Sequence, residues 1–122
     1  MTETSPQEEP RVGNWLQTYT GQQFWPLDPR PDEVSIVDIA HALSNLCRFN
    51  GHCRGFYSVA QHSVLVAAQL PPELQLWGLL HDAAEAYTSD LPRPIKRSLP
   101  VWTEIEGKIQ RAICDHFGLS RE

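Results

Sequence analysis

The segment LLHDAAEAYTSD, residues 79–90, sets His81, Asp82, Glu85 and Asp90 among leucines and alanines. Ionisable side chains in apolar company are costly unless they are paired or coordinate a metal. Side chains three or four apart share a helix face. Glu85 follows His81 by four positions and Asp82 by three, so a helix over about residues 73–87 points all three into one cleft. His81 and Asp82 are about 100° apart around the axis and can still converge on one ion. His62 sits on the preceding helix, where a helical hairpin brings it opposite His81. Two imidazoles and a carboxylate suit a divalent transition ion such as Mn, Co, Fe or Zn. Three protein ligands with open positions define a catalytic rather than a sealed structural site. Such an ion acidifies water and polarises a phosphoryl oxygen. Glu85 is then the general base or acid, and Asp90, past the helix end, can hydrogen-bond a substrate hydroxyl. The implied chemistry is metal-assisted hydrolysis.

Plainer roles compete with these. A lone His-Asp pair arises often by chance, Asp82 can simply pair with Arg48, and His62 can be a satisfied core histidine. The combination of His62 in a capped helix, Glu85 on the same face and Asp90 beyond it favours the site. His52 and Cys53 suit a local turn, and His41 a packed or partly exposed position. Lys96 and Arg97 suit a solvated basic face, Cys114 and His116 structural roles, and the four tryptophans core or cleft walls.

The elements that must position these groups are helical. Ser35 can cap a helix over about 36–47, with Asp38 near its positive end. Ile36, Ile39, Ala40, Leu43 and Leu46 recur along it with helical period. CRFNGHCRGFYS, residues 47–58, is a glycine-containing loop with two arginines. Ser58 and Gln61 form a capping-box pattern that opens a helix over about 59–69. Pro71 and Pro72 stop it, and Pro72 suits the first position of the next helix. Leu91-Pro92-Arg93-Pro94 is a loop. A last amphipathic helix, about 101–117, buries Trp102, Ile105, Ile109 and Ile113 and ends at Gly118. Upstream, aromatic and threonine residues around Thr20-Gly21 predict a short hairpin. Pro26, Pro29 and Pro31 close it and forbid a helix there. The fold class is all-α with one small N-terminal hairpin.

The chain has 122 residues, 41% of them hydrophobic, which suits one domain with a real core over 13–122. Glu3, Glu8 and Glu9 mark residues 1–12 as a disordered tail. The net charge of −5 argues against a phosphate-driven nucleic-acid binder. Three cysteines and no CxxC pair signal neither a disulfide framework nor a zinc knuckle. MTETSPQEEP has no apolar h-region and does not read as a signal peptide, and no apolar run approaches the about 20 residues of a membrane span, so a reduced cytoplasmic protein is expected.

FYSVAQHSVLVA followed by LLHDAAEAYTSDLPRPIKR resembles the HD-domain phosphohydrolase superfamily, and most of all its 5′-deoxynucleotidase-like branch. The likeness covers roughly residues 35–117 and includes RFNGH. It implies an HD-type helical bundle with His62, His81 and Asp82 as metal ligands. It implies that Glu85 acts in catalysis and that Asp90 contacts the sugar. Arg48, just before Phe49, matches a substrate-binding position, and a guanidinium can fork onto a phosphate. The family has a fourth ligand, an Asp on a helix beyond the segment aligned to 101–117, and Asp115 is not its counterpart. The expectation is therefore a bundle short of the family's C-terminal helices. Either the chain is a fragment, or water or a partner chain would complete the site, and the exposed apolar surface of a short bundle would favour a homo-oligomer. The expected function is metal-dependent hydrolysis of a (deoxy)nucleotide, releasing phosphate or polyphosphate. The alternative is a nucleotide-binding or assembly module of the same fold without hydrolysis.

Overall fold

The computed structural model describes residues 10–119. The expected tail over 1–12 lies outside the described residues for positions 1–9. Its last positions are not loose. The Arg11 guanidinium donates to Glu33 Oε2 at 2.8 Å, Asp28 Oδ2 at 3.0 Å and Asp28 O at 2.7 Å. It also lies 4.0 Å from the Trp25 ring centroid.

The hairpin forms with strands of two residues each, β1 (Leu16–Gln17) and β2 (Gln23–Phe24). They are antiparallel, with Leu16 opposite Phe24 and Gln17 opposite Gln23. Gly21, at φ 89°, makes the turn. The prolines do not exclude all helical winding, because Pro31–Glu33 is a single 3-10 turn. A turn this short needs few backbone donors, and Pro31 at its start has none to lose.

Six helices follow. α1 (Ile36–Asn45) begins as expected, with Ser35 Oγ accepting from Asp38 N. Asp38 itself is 2% exposed and accepts from Thr20 N and Thr20 Oγ1 at 2.8 and 3.0 Å. That carboxylate ties the hairpin loop to the first turn of α1. Ile39 and Leu43 face inward, whereas Ile36 and Ala40 are exposed. α2 (Val59–Ala68) starts at Ser58, whose Oγ accepts from Gln61 N at 3.0 Å. α3 (Pro72–Leu80) runs back against it.

The helix expected over 73–87 is broken. α3 stops at Leu80, and α4 (Glu85–Thr88) follows a tight stretch. There Ala83, Glu85, Ala86 and Tyr87 each donate to the carbonyl three residues back, at 3.0 Å. Gln110 holds this break from outside, its Nε2 donating to Leu80 O at 2.9 Å and its Oε1 accepting from Ala84 N at 3.2 Å. Buried Ala83 and Ala84 give the room for that approach. The loop expected at 91–94 instead opens α5 (Arg93–Lys96), with Pro92 before it and Pro94 in its first turn. α6 (Pro100–Phe117) ends at Gly118, whose φ of 67° is the left-handed cap expected there. Ile109 and Ile113 are fully buried, while Trp102 is only partly so.

The core joins the hairpin, α1, α2, α3, α4 and α6 through Phe24, Ile39, Leu43, Val59, Leu80, Tyr87, Ile109 and Ile113. Phe24 stacks on Tyr87 at 3.9 Å between centroids. Burying each large apolar side chain contributes about 1.5–3 kcal/mol. No described helix is long and apolar enough to cross a membrane.

α2 and α3 pack closely at Gly78. A Cβ there would lie 2.6 Å from Leu70 Cδ1 and 3.1 Å from the Ala67 Cα. Gly78→Ala must push the hairpin apart, and the expected cost is about 1–3 kcal/mol, the usual range for overpacking. Urea unfolding checks it, and an unchanged midpoint would mean that the hairpin yields freely.

Candidate metal centre

Three predicted ligands converge. His62 Nε2 lies 3.6 Å and His81 Nε2 3.1 Å from Asp82 Oδ2, and the imidazole centroids are 5.4 Å apart. One donor atom from each residue falls within 4.8 Å of the others, and each residue is half-buried. Among the described residues this is the one His/Cys/Asp/Glu group compact enough to hold an ion.

Local structure explains the convergence. His62 lies in the first turns of α2 and His81 directly after α3. The short link through Pro71 sets the two helices side by side. The Gly78 contact then brings them close enough for the rings to meet. His81 Nδ1 is 2.6 Å from Gly78 O. A carbonyl only accepts, so Nδ1 carries a hydrogen and Nε2 is the nitrogen turned to Asp82. Metal-binding histidines commonly have their second nitrogen fixed in this way. Trp77 stacks beside His81 at 5.9 Å.

The electrostatics divide the two imidazoles. Burial, then the charge of Arg48, holds His62 below its usual value. The hydrogen bond to Asp82 lifts His81 above its own, against burial. Burial pushes Asp82 upward, but its bond to His81 and the nearby cations outweigh this and leave it lowered. The His81–Asp82 contact, 3.1 Å between Nε2 and Oδ2, thus favours the charged form of both partners.

Glu85 is not among the three. The tight winding of 80–87 has about three residues per turn, which aligns Asp82 with Glu85 and rotates Glu85 away from His81. The expected common face for His81 and Glu85 is thus lost. Glu85 is 9% exposed, and its Oε2 has no hydrogen-bond partner. Burial first, then the charges of Asp82 and Asp90 and a hydrogen bond with Asp90, push its carboxyl up to about 9. Asp90 is thereby engaged with Glu85.

Arg48 stands near enough for its charge to act on His62, His81 and Asp82. Its guanidinium carbon lies 4.6 Å from the Phe49 ring centroid and 5.5 Å from that of Tyr57. Phe49 is 58% exposed at the rim. Lys96 is paired with Glu106 at 2.8 Å, and Arg97 is exposed. His41 is stacked on Tyr19 at 3.7 Å, and His116 Nδ1 donates to Pro31 O at 2.7 Å. Both have the structural roles expected of them.

Sequence reasoning missed Gly78, Gln110 and Tyr57. Gly78 carries a signal, since an interior helical glycine needs a packing reason. Nothing local marks Gln110, which acts across 26 and 30 positions.

No family model matches the chain. It is similar to the uncharacterized protein YfdR of Escherichia coli, 44% identical over 106 residues that cover 87% of this chain and 60% of YfdR. It is also similar to the uncharacterized protein RCAP_rcc00048 of Rhodobacter capsulatus, 36% identical over an alignment of 115 residues covering 86% of this chain and 59% of that protein. The chain thus spans about 60% of the length of the curated relatives it matches.

Glu85 generates a prediction for the metal-free protein. Its folded value, about 9, lies above the 4.5 of an unperturbed glutamate. Its contribution to stability is therefore complete below pH 4.5 and is lost as the pH rises through 9. Glu85→Gln removes that loss. In chelator-treated protein the variant should be more stable at pH 8 by about 1–3 kcal/mol, the scale of a buried polar mismatch. The gap should shrink at pH 5. Urea titrations at both pH values check this, and a gap independent of pH would show that Glu85 titrates normally.

Proposed function

We propose that the protein is a metal-dependent phosphohydrolase acting on (deoxy)nucleotides, built on an HD-type helical scaffold. The observation that carries this reading is the His62–His81–Asp82 group, three donor atoms within 4.8 Å of one another. Its chemistry fits the expected ion, because nitrogen and carboxylate donors in this ratio suit Mn, Co, Fe or Zn. The Asp82 carboxylate facing both imidazoles makes the group attractive to positive charge. What a divalent ion supplies in such a donor set is Lewis acidity toward a phosphoryl oxygen and toward water.

The chain's other residues then have definite tasks. Arg48 attracts and orients the phosphate, with Phe49 and Tyr57 beside it. Glu85, protonated at neutral pH, can give a proton to a leaving oxygen, which a group titrating near 7 to 9 does well. Asp90, whose charge acts on the Glu85 carboxyl, is the group proposed to accept a hydrogen bond from a sugar hydroxyl. On this reading the protein works in the cytoplasm. The apolar residues exposed on α2 and α3, such as Val64, Leu65, Leu74 and Trp77, support self-association.

A second reading, nucleotide binding or assembly without hydrolysis, is favoured by one observation. The compact group offers three donors among the described residues, where the resemblance implies a fourth.

Metal analysis of the purified chain, followed by a nucleotide panel with added Mn or Co, tests the proposal. About one ion per chain and release of phosphate or polyphosphate are expected. His81→Ala and Asp82→Ala should each lower turnover by about 100-fold or more, the upper end of losses on disturbing a metal shell. Calorimetry separates the readings, since nucleotide binding without product in excess metal supports the module. Neither metal uptake nor nucleotide binding would overturn both.

A further inference from the structure

The loop that carries Arg48 and Phe49 is flanked by two thiols that meet. Cys47 Sγ and Cys53 Sγ are 3.3 Å apart, and both residues are half-buried, so small reagents can reach them. The approach is built by the backbone. Phe49, Asn50 and Gly51 stand in succession at φ 57°, 53° and 82°, which reverses the chain between the cysteines. For Phe49 and Asn50 this left-handed backbone is strained, and such strain persists only where the surroundings impose it. Here the loop base imposes it. Val59 N donates to Leu46 O at 2.9 Å and Arg48 N to Tyr57 O at 2.8 Å, with Cys47 bridged to Ser58 between them.

We infer that Cys47 and Cys53 form a reversible disulfide that clamps the loop carrying Arg48. Bond formation needs the sulfurs to close by about 1.3 Å, to the usual length near 2.05 Å. Rotation of two side chains supplies that movement. The oxidant is a low-molecular-weight disulfide of the glutathione type. One cysteine thiolate attacks it, forming a mixed disulfide and releasing one small thiol. The second thiolate attacks the mixed disulfide and releases the other small thiol. The protein loses two electrons and two protons, and the reagent disulfide gains them as two thiols. Cys114 is 5% exposed in α6 and stays reduced. The inference stands whether or not the neighbouring histidines take a metal.

The experiment equilibrates the full chain in reduced and oxidised glutathione, quenches with acid, alkylates and maps tryptic peptides by mass. The peptides ending at Arg48 and Arg54 should appear as one linked species, lighter than their sum by two hydrogens, with Cys114 alkylated. Persistent glutathione adducts on Cys47 or Cys53, or covalent dimers through them, would overturn the pair. The clamp is read by brief native proteolysis. Oxidation should slow trypsin after Arg48 by about tenfold, because cleavage requires local opening, and leave Arg54 nearly unchanged. Equal slowing at both arginines, or none, would overturn the clamp. Cys47→Ser should abolish both effects. Cys53→Ser, at a loop position outside the core, serves the same purpose if the first variant folds poorly.

Discussion

The contact between α2 and α3 at Gly78 sets the rest of the site. Its missing side chain lets Ala67 and Leu70 come within van der Waals reach, and its carbonyl fixes the ring of His81. One residue thus determines both how far apart the two histidines stand and which nitrogen His81 turns to Asp82. Helix packing normally holds axes about 8–10 Å apart, according to the side chains at the crossing. With glycine at the crossing no side chain holds the helices apart, and the imidazole centroids of His62 and His81 stand 5.4 Å from each other.

The second constraint is the break after Leu80. A continuous helix would have left Glu85 beside His81 and its backbone groups paired within the helix. The tighter winding instead aligns Glu85 with Asp82, and two carboxyls near each other in a dry setting cannot both ionise easily. Gln110 makes this arrangement tolerable by giving Ala84 N an acceptor and by adding a second donor to Leu80 O, which also accepts from Ala83 N. Burial is the first cause of the raised Glu85 carboxyl, and the charges of Asp82 and Asp90 add to it.

Much of this was legible in the sequence. Helix starts at Ser35 and Ser58 were readable because a capping hydroxyl acts within three residues, and the end at Gly118 because a left-handed cap favours glycine. His62, His81 and Asp82 were readable as a group because helix spacing and a short proline link fix their relation. What was not legible depended on partners far along the chain. The break inside 73–87 is stabilised by Gln110, Asp38 is buried because Thr20 meets it, and Arg11 is anchored by Asp28 and Glu33. Local propensity favoured a continuous helix and a loose tail, and tertiary hydrogen bonds overrode both. The short helix at Arg93–Lys96 escaped because two prolines read as a loop, although proline is well suited to a helix's first turn.

The loop from Cys47 to Ser58 and the start of α2 behave as one unit. Ser58 bridges Cys47 through its backbone and caps α2 through its hydroxyl, and His62 N donates to Ser58 O at 3.1 Å. Arg48 is held at the base of the same loop by Tyr57 O. A shift of the loop relative to the core must therefore move the capping residue of α2, and His62 stands one turn further on. The position of the candidate phosphate-binding guanidinium and that of a candidate metal ligand are coupled through about ten residues of backbone, without any side chain linking them directly. Arg48 and His62 are close enough for the charge of one to depress the other's protonation, so the mechanical link and the electrostatic one act between the same two residues.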